Sequence, residues 1–276
     1  MAGKKSPHRR EAKAEQSHNK HRRKYPDIAM QVILDSDIIL EILDARFWKE
    51  TRNSELEDEI KKQGKEIVFV LNKSDLIDKK KLTKEMSENS IYPFVFVSCK
   101  SRRGLSNLLT RIKIDAKKID KDKINFGVIG YPNTGKSSII NLLKGTSVAR
   151  VASEAGFTKG MQKVKISEKI FLIDTPGVIP SSENSNMREK DLFKHARINV
   201  VRWDKIRDPE AVVHELMQNH LGVFEKFYNI NAEGDSEILI EELGRKKAFL
   251  VKGNEIDRDR TSRLIIKDFQ EGKIKV

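Results

Sequence analysis

The chain has 276 residues and a net charge of +13, with 54 Lys and Arg against 41 Asp and Glu. No run of about 18 apolar residues occurs, so no membrane-spanning helix is expected, and MAGKKSPHRR has no apolar stretch after its charges, so no secretory signal is expected either. A single cysteine, Cys99, excludes an internal disulfide framework and fits a reducing, cytoplasmic location.

The charge is uneven. Residues 1–24 hold nine Lys and Arg against two Glu, whereas residues 188–276 hold 18 basic and 17 acidic residues. A polybasic arm on a milder body points to a polyanion partner, RNA or DNA. A solubilising tail is the plainer alternative. The arm has no apolar residues to insert, which argues against a membrane surface.

In chain order, residues 1–24 are polar and aperiodic and predict a disordered arm. DIILEIL (37–43) predicts a strand, followed by DAR. SELEDEIKKQG (54–64) predicts a helix capped by Ser54 and stopped at Gly64. EIVFVLNKSDL (66–76) is a β-branched strand running into a loop, and 79–89 suits a polar helix. YPFVFVSCKS (92–101) repeats strand then loop. LSNLLTRIKI (105–114) has apolar residues at helical spacing. INFGVIG (124–130) predicts a strand and KSSIINLLKG (136–145) a helix. MQKVKISEKIFLIDTPG (161–177) reads as two strands and a loop. Beyond it, Asp208 and Pro209 open a helix, and 237–250 and 257–270 supply two more.

Strands alternating with helices predict an α/β domain with a mainly parallel sheet covered on both faces. The expected division is an arm over 1–24, an α/β domain over 25–187 and a small helical domain over 188–276. In such sheets ligands sit beyond the carboxyl ends of the strands. Four motifs follow apolar strands directly: NKSD (72–75), SCKS (98–101), GYPNTGKS (130–137) and DTPG (174–177). That shared placement predicts one site.

GYPNTGKS fits GxxxxGK[ST] between a strand and a helix. Its glycines allow a tight turn whose N–H groups cradle phosphates, joined by the helix N-terminus. Asn133, Thr134, Gly135 and Ser138 belong to this cradle. Lys136 reaches the β- and γ-phosphates, and the Ser137 hydroxyl binds Mg²⁺. Asp174 at a strand end is placed for the same ion, and Gly177 can offer its N–H to a γ-phosphate. A DxxG loop alone would be an ordinary turn; the cradle beside it gives it meaning. Asp75 can accept from guanine N1–H and N2–H₂ together, a paired donor edge that adenine lacks. Asn72 braces this loop and the Lys73 stem covers the base. Ser98, Cys99 and Lys100 complete the base pocket, with the Cys99 N–H aimed at guanine O6. The thiol itself carries no expected role. The nucleotide is therefore GTP or GDP.

The order of these motifs is reversed, with the base reader before the cradle. In this the chain resembles the circularly permuted GTPases of the YlqF/YawG family. The resemblance covers about 25–187 and includes DARxxxxTRN, with Asp44, Ala45, Arg46, Thr51, Arg52 and Asn53. It implies a GTPase acting in assembly of the large ribosomal subunit, with that subunit or its precursor and rRNA as partners. A monomer is expected. The motif order makes residues 178–190 run from the γ-phosphate sensor DTPG straight into the helical domain, and the hypothesis is that nucleotide state moves that domain through this tether. EAGFTKG (154–160) is the candidate switch, with Thr158 on Mg²⁺ and the γ-phosphate. The family usually has Pro where Ala155 stands. Lys136, Thr158 and Gly177 are thus the candidate catalytic groups. Val178 stands where a water-orienting Gln would be, so slow turnover raised by a partner is expected. Asn133 resembles an asparagine that binds K⁺ in related enzymes, where the cation offsets transition-state charge. His21 has no surrounding catalytic pattern.

In the helical domain, Arg258, Arg260, Arg263 and Lys267 are candidates for one exposed RNA-binding face, against the alternative of a salt-bridged solvated one. Trp203, Phe224, Phe227 and Tyr228 are expected to be core rather than base-stacking platforms. A signalling or trafficking switch acting on a protein effector is the second reading of the whole chain. A nucleotide-binding scaffold with negligible hydrolysis is the third.

Overall fold

Long apolar strands with no polar face must be buried on both sides, and the sheet is built that way. The computed structural model describes residues 25–146, 162–180 and 189–275. Helix α1 (Tyr25–Asp35) precedes strand β1 (Ile38–Asp44). Then follow α2 (Ser54–Lys62), β2 (Glu66–Asn72), α3 (Lys79–Glu88), β3 (Phe94–Phe96), α4 (Leu105–Ala116), β4 (Ile124–Ile129) and α5 (Lys136–Thr146). A hairpin of β5 (Gln162–Lys165) and β6 (Ile170–Asp174) completes a six-stranded sheet ordered β3-β2-β1-β4-β6-β5. All strands but β5 run parallel.

Alternation along the strands sorts the two layers. Leu40, Ile42, Val68 and Val70 meet Leu108 and Ile112 of α4 and Ile140 and Leu143 of α5. Ile39, Leu43, Phe69 and Leu71 meet Ile33 of α1, Ile60 of α2, and Leu82 and Met86 of α3. Helices α6 (Glu189–Arg197), α7 (Pro209–Asn219), α8 (Val223–Tyr228), α9 (Ser236–Lys246) and α10 (Arg258–Gln270) form a second body. Its core holds Val213, Leu216, Phe224, Leu239, Ile266 and Phe269. Phe47, which follows β1, and Tyr131 of the cradle belong to this helical core as well.

The expected elements are present, with differences of physical origin. Helix α1 was not foreseen. Asn53, not Ser54, caps α2: its side chain accepts from Leu56 N–H at 3.1 Å. β3 shrinks to three residues. Helix α9 ends at Lys246 rather than Leu250, because Ala248 takes φ +53° and the chain turns back. Phe224 and Tyr228 are buried and Trp203 packs against the same core, but Phe227 is exposed.

The four basic residues of α10 do not form a free face. Arg258 pairs with Glu210 at 2.8 Å and Arg263 with Asp259 at 2.7 Å. Arg263 also donates to Trp203 O at 3.0 Å and Ile206 O at 3.2 Å. Arg260 lies over the Phe249 ring, 4.0 Å from its centroid, and Lys267 over Trp203 at 5.2 Å.

One buried acid breaks the pattern of β1. Glu41 is wholly buried on the face of Ile39 and Leu43, and its Oε1 accepts the Asn53 N–H at 2.9 Å. Burial, and then the nearby Glu57 charge, push its carboxyl from an ordinary 4.5 up to about 8. The folded state therefore holds a proton that the unfolded chain has released, and stability falls as pH rises through that window. Glu41→Gln keeps an acceptor and removes the charge. Its melting temperature at about pH 8 is expected to exceed wild type by a few degrees, at roughly 2–4 °C per kcal/mol, with little difference at pH 5. Thermal unfolding followed by circular dichroism checks this; equal pH dependence in both proteins would refute it.

Candidate functional site

Because the strands are parallel, their carboxyl ends share one edge of the sheet. β2 ends in Asn72, β3 leads to Ser98, β4 leads to Gly130 and β6 ends in Asp174. The four motifs therefore meet. A pocket of about 500 Å³ is lined by Asn72, Lys73, Asp75, Cys99, Lys100, Asn133, Gly135, Lys136, Ser137 and Ser138. Leu76 and, from the helical body, Asn199, Gln270 and Glu271 complete the wall.

Asn72 joins three of the loops. Its Nδ2 donates to Thr134 O at 2.8 Å, and its Oδ1 accepts the Cys99 N–H at 3.3 Å. The cradle backbone passes close: a Cβ on Gly135, whose φ is +100°, would lie 2.2 Å from Asn72 Nδ2. The Cys99 N–H, expected to point at guanine O6, is thus engaged by Asn72. Burial pushes the Cys99 thiol up to about 11, so it is not a thiolate near neutrality. Ser98 donates from Oγ to Asp75 Oδ1 at 2.6 Å and accepts the Ser101 N–H at 3.1 Å. Asp75 is thereby aimed, with its carboxylate exposed to the pocket. Lys73 takes a left-handed backbone, φ 60°.

In the cradle, Gly130 has φ +142°, and a Cβ there would sit 2.4 Å from Ile42 O. The Thr134 hydroxyl turns inward to Tyr131 O at 2.9 Å, leaving only its backbone for a ligand. Lys136 is buried and donates to Gly130 O at 3.0 Å and Tyr131 O at 2.7 Å. Burial pulls its ammonium down to about 8, against the favourable Asp174 charge. Burial also raises Asp174, opposed by Lys136. Asp174 Oδ1 is buried without a hydrogen-bond partner. An orphaned carboxylate oxygen of this kind fits a cation. Ser137 is exposed to the same pocket. A divalent ion would thus be held by Ser137, Asp174 and the phosphates themselves. Among the described residues there is no group of three or more His, Cys, Asp or Glu that could hold a metal without them.

DTPG packs onto the cradle. Val178 N–H donates to Gly130 O at 3.2 Å, and a Cβ on Gly177 would lie 2.7 Å from Pro132 Cα. Val178 is buried and apolar, with no group to orient water. Thr158 and the rest of 154–160 lie outside the described residues, as does His21. Asn133 takes φ 59° and donates from Nδ2 to Asn199 O at 2.6 Å. Its amide nitrogen is therefore committed to the helical body.

That contact belongs to a set the sequence reading missed. It assigned communication with the helical body to the 178–190 tether alone. Here Arg197 pairs with Glu50 at 2.9 Å, and Tyr131 and Phe47 sit in the helical core. Gly272, with φ +71°, passes so close to the base loop that a Cβ would fall 2.3 Å from Leu76 Cδ1. No local pattern announces such contacts, which join residues far apart in the chain.

Comparison with known proteins agrees with this geometry. A family model described as 50S ribosome-binding GTPase matches residues 125–226. An uncharacterized GTP-binding protein of Methanocaldococcus jannaschii is 38% identical over 90% of this chain and 65% of its own length. Nucleolar GTP-binding protein 2 of Saccharomyces cerevisiae is 35% identical over 88% of this chain and 51% of its own. The chain thus spans about half to two thirds of the curated relatives it matches. Among solved structures, GDP-bound YlqF aligns with a TM-score of 0.65 at 21% identity, covering 88% of this chain and 94% of that one. GNP-bound YlqF from T. maritima gives 0.61 at 22%, covering 86% and 89%. The chain is thus similar to GTP-binding proteins over most of its length and shares the fold of YlqF.

Proposed function

We propose that the chain binds GTP and GDP with Mg²⁺, hydrolyses GTP slowly, and acts as a nucleotide-dependent switch in assembly of the large ribosomal subunit through rRNA contact. The observation that carries this is the meeting of Asp75 and Lys136 in one pocket at the carboxyl edge of the sheet, with the Asp174 charge acting on Lys136. The ribosomal part rests on the match to the 50S ribosome-binding GTPase family model and on the polybasic arm. We propose a monomer acting in the cytoplasm, although the fungal relatives carry nucleolar names. Among the described residues no helix is long and apolar enough to cross a membrane.

In this reading Asp75 accepts the two donors of the guanine edge, fixed by Ser98. Asn72 holds base loop and cradle in register. Lys136 leaves the Gly130 and Tyr131 carbonyls and takes up phosphate charge. Mg²⁺, held by Ser137, Asp174 and Thr158, would neutralise further phosphate charge. Gly177 offers its N–H at the γ-phosphate. No residue of the 174–178 loop positions the attacking water, so turnover is slow and depends on help from outside that loop.

Three outcomes are expected. With its ammonium pulled down to about 8, free Lys136 is mostly neutral at about pH 8.5, and phosphates favour its ammonium form, so GDP binding there takes up a proton, at most about three quarters of one per nucleotide. Titration calorimetry in two buffers of different ionisation enthalpy measures this; the same uptake by Lys136→Met would sink the assignment. Single-turnover hydrolysis should run faster in K⁺ than in Na⁺, and equal rates would remove Asn133 as a cation ligand. Purified subunits should retain the chain on the large one with a non-hydrolysable GTP analogue, more weakly at higher salt as phosphate contacts require. Sedimentation with no preference between subunits in either nucleotide state would remove the ribosomal role.

A further inference from the structure

The DAR segment is not accounted for by any of the nucleotide motifs, yet it touches one of them. In the register of β1 and β2, Asp44 lies opposite Asn72, one residue before Lys73. Lys73 Nζ is 2.6 Å from Asp44 Oδ2. Arg46 grips the same carboxylate: Nη2 donates to Oδ2 at 2.8 Å, and Nε and the backbone N–H donate to Oδ1, each at 3.1 Å. The side chains of Arg46 and Asp44 are 2% and 1% exposed. Burial works against the charge on Asp44, but Arg46 and Lys73 hold its carboxyl below its ordinary range.

The remaining arm of the guanidinium points elsewhere. Arg46 Nη1 donates to Phe269 O at 3.1 Å, at the C-terminal turn of α10. A cation suits that end of a helix, and here it joins the Gly272 N–H, which also donates to Phe269 O at 3.0 Å. The next two residues, Gln270 and Glu271, line the nucleotide pocket. Phe269 itself stacks on Phe224 and lies at the centre of the helical core.

We infer that Asp44 and Arg46 are positioning residues for guanine recognition: they hold Lys73 in place over the base and fasten that arrangement to the end of α10, so that base binding and docking of the helical body strengthen each other. The inference rests on the guanine reading of the pocket. A planar fork serves both ends at once, which a lysine at position 46 cannot do. Linkage then works in both directions: whatever loosens α10 weakens nucleotide binding, and nucleotide tightens α10.

The test is calorimetric titration of GDP into the full chain and the variants Asp75→Ala, Lys73→Met, Arg46→Met and the Arg46→Met/Lys73→Met double. Arg46→Met is expected to weaken GDP about tenfold, which is about 1.4 kcal/mol. Because Arg46 acts through Lys73, the double variant should bind no more weakly than the poorer single. Losses that multiply in the double variant, or an Arg46→Met affinity within twofold of wild type, would overturn the inference. Should Arg46→Met fail to fold, Arg46→Lys decides by hydrogen exchange. GDP should slow exchange at the last turn of α10 in wild type and leave it unchanged in Arg46→Lys, and equal slowing in both would overturn the link. Wild-type GDP affinity in Asp75→Ala would overturn the guanine reading itself, and this inference with it.

Discussion

Everything at this site depends on one side-chain amide. Parallel strands lie about 4.8 Å apart, so the ends of β2 and β4, flanking β1, are about twice that distance from each other. Asn72 spans the gap, donating to Thr134 O and accepting from the Cys99 N–H. A shorter or acceptor-only side chain could not satisfy both ends. The reversed chain order is irrelevant to this contact, because the sheet, and not the sequence, decides which loops are neighbours. Cutting and rejoining the chain elsewhere leaves the strand order, and so the bridge, intact.

How much of this was legible beforehand follows from the range of each interaction. The cradle, NKSD and DTPG were readable because each is a short run whose residue types are dictated by a ligand, and each directly follows an apolar strand. The sheet was readable for the same reason: β-branched runs such as EIVFV admit few alternatives. Helix α1 escaped because YPDIAMQVILD follows directly on the polybasic arm without a clear cap, although Ile28, Val32 and Ile33 do face the sheet. The cap of α2 fell one residue early because Asn53 and Ser54 are both good caps and only the backbone decides between them. The Cys99 N–H was assigned to the base because the reach of Asn72 is a tertiary fact. The fit between the helical body and the site was illegible altogether. It depends on a carbonyl at position 269 and another at 199, and a carbonyl has no residue type to read.

The buried charges beside the cradle are of two kinds. Lys136 is buried among carbonyls, and Asp174 keeps an unsatisfied oxygen below it. Each charge is buried against its own hydration, and in the proposed reading a phosphate with its counter-ion would relieve both. By contrast, Asp44 is buried with its partners already in place, and its charge is secured by the protein alone. The site therefore sets a carboxylate whose charge is fully partnered beside one that keeps an unpartnered oxygen.

Tyr131 has a consequence for the way this protein can change over time. It is the second residue of the phosphate cradle, yet its ring is fully buried in the core of the helical body. Two units that appear separable by sequence thus own one residue in common. A helical body borrowed from another protein would need a matching socket for that ring before the cradle could keep its shape. Recombination at the junction is constrained accordingly, and the two parts are expected to be inherited as a matched pair.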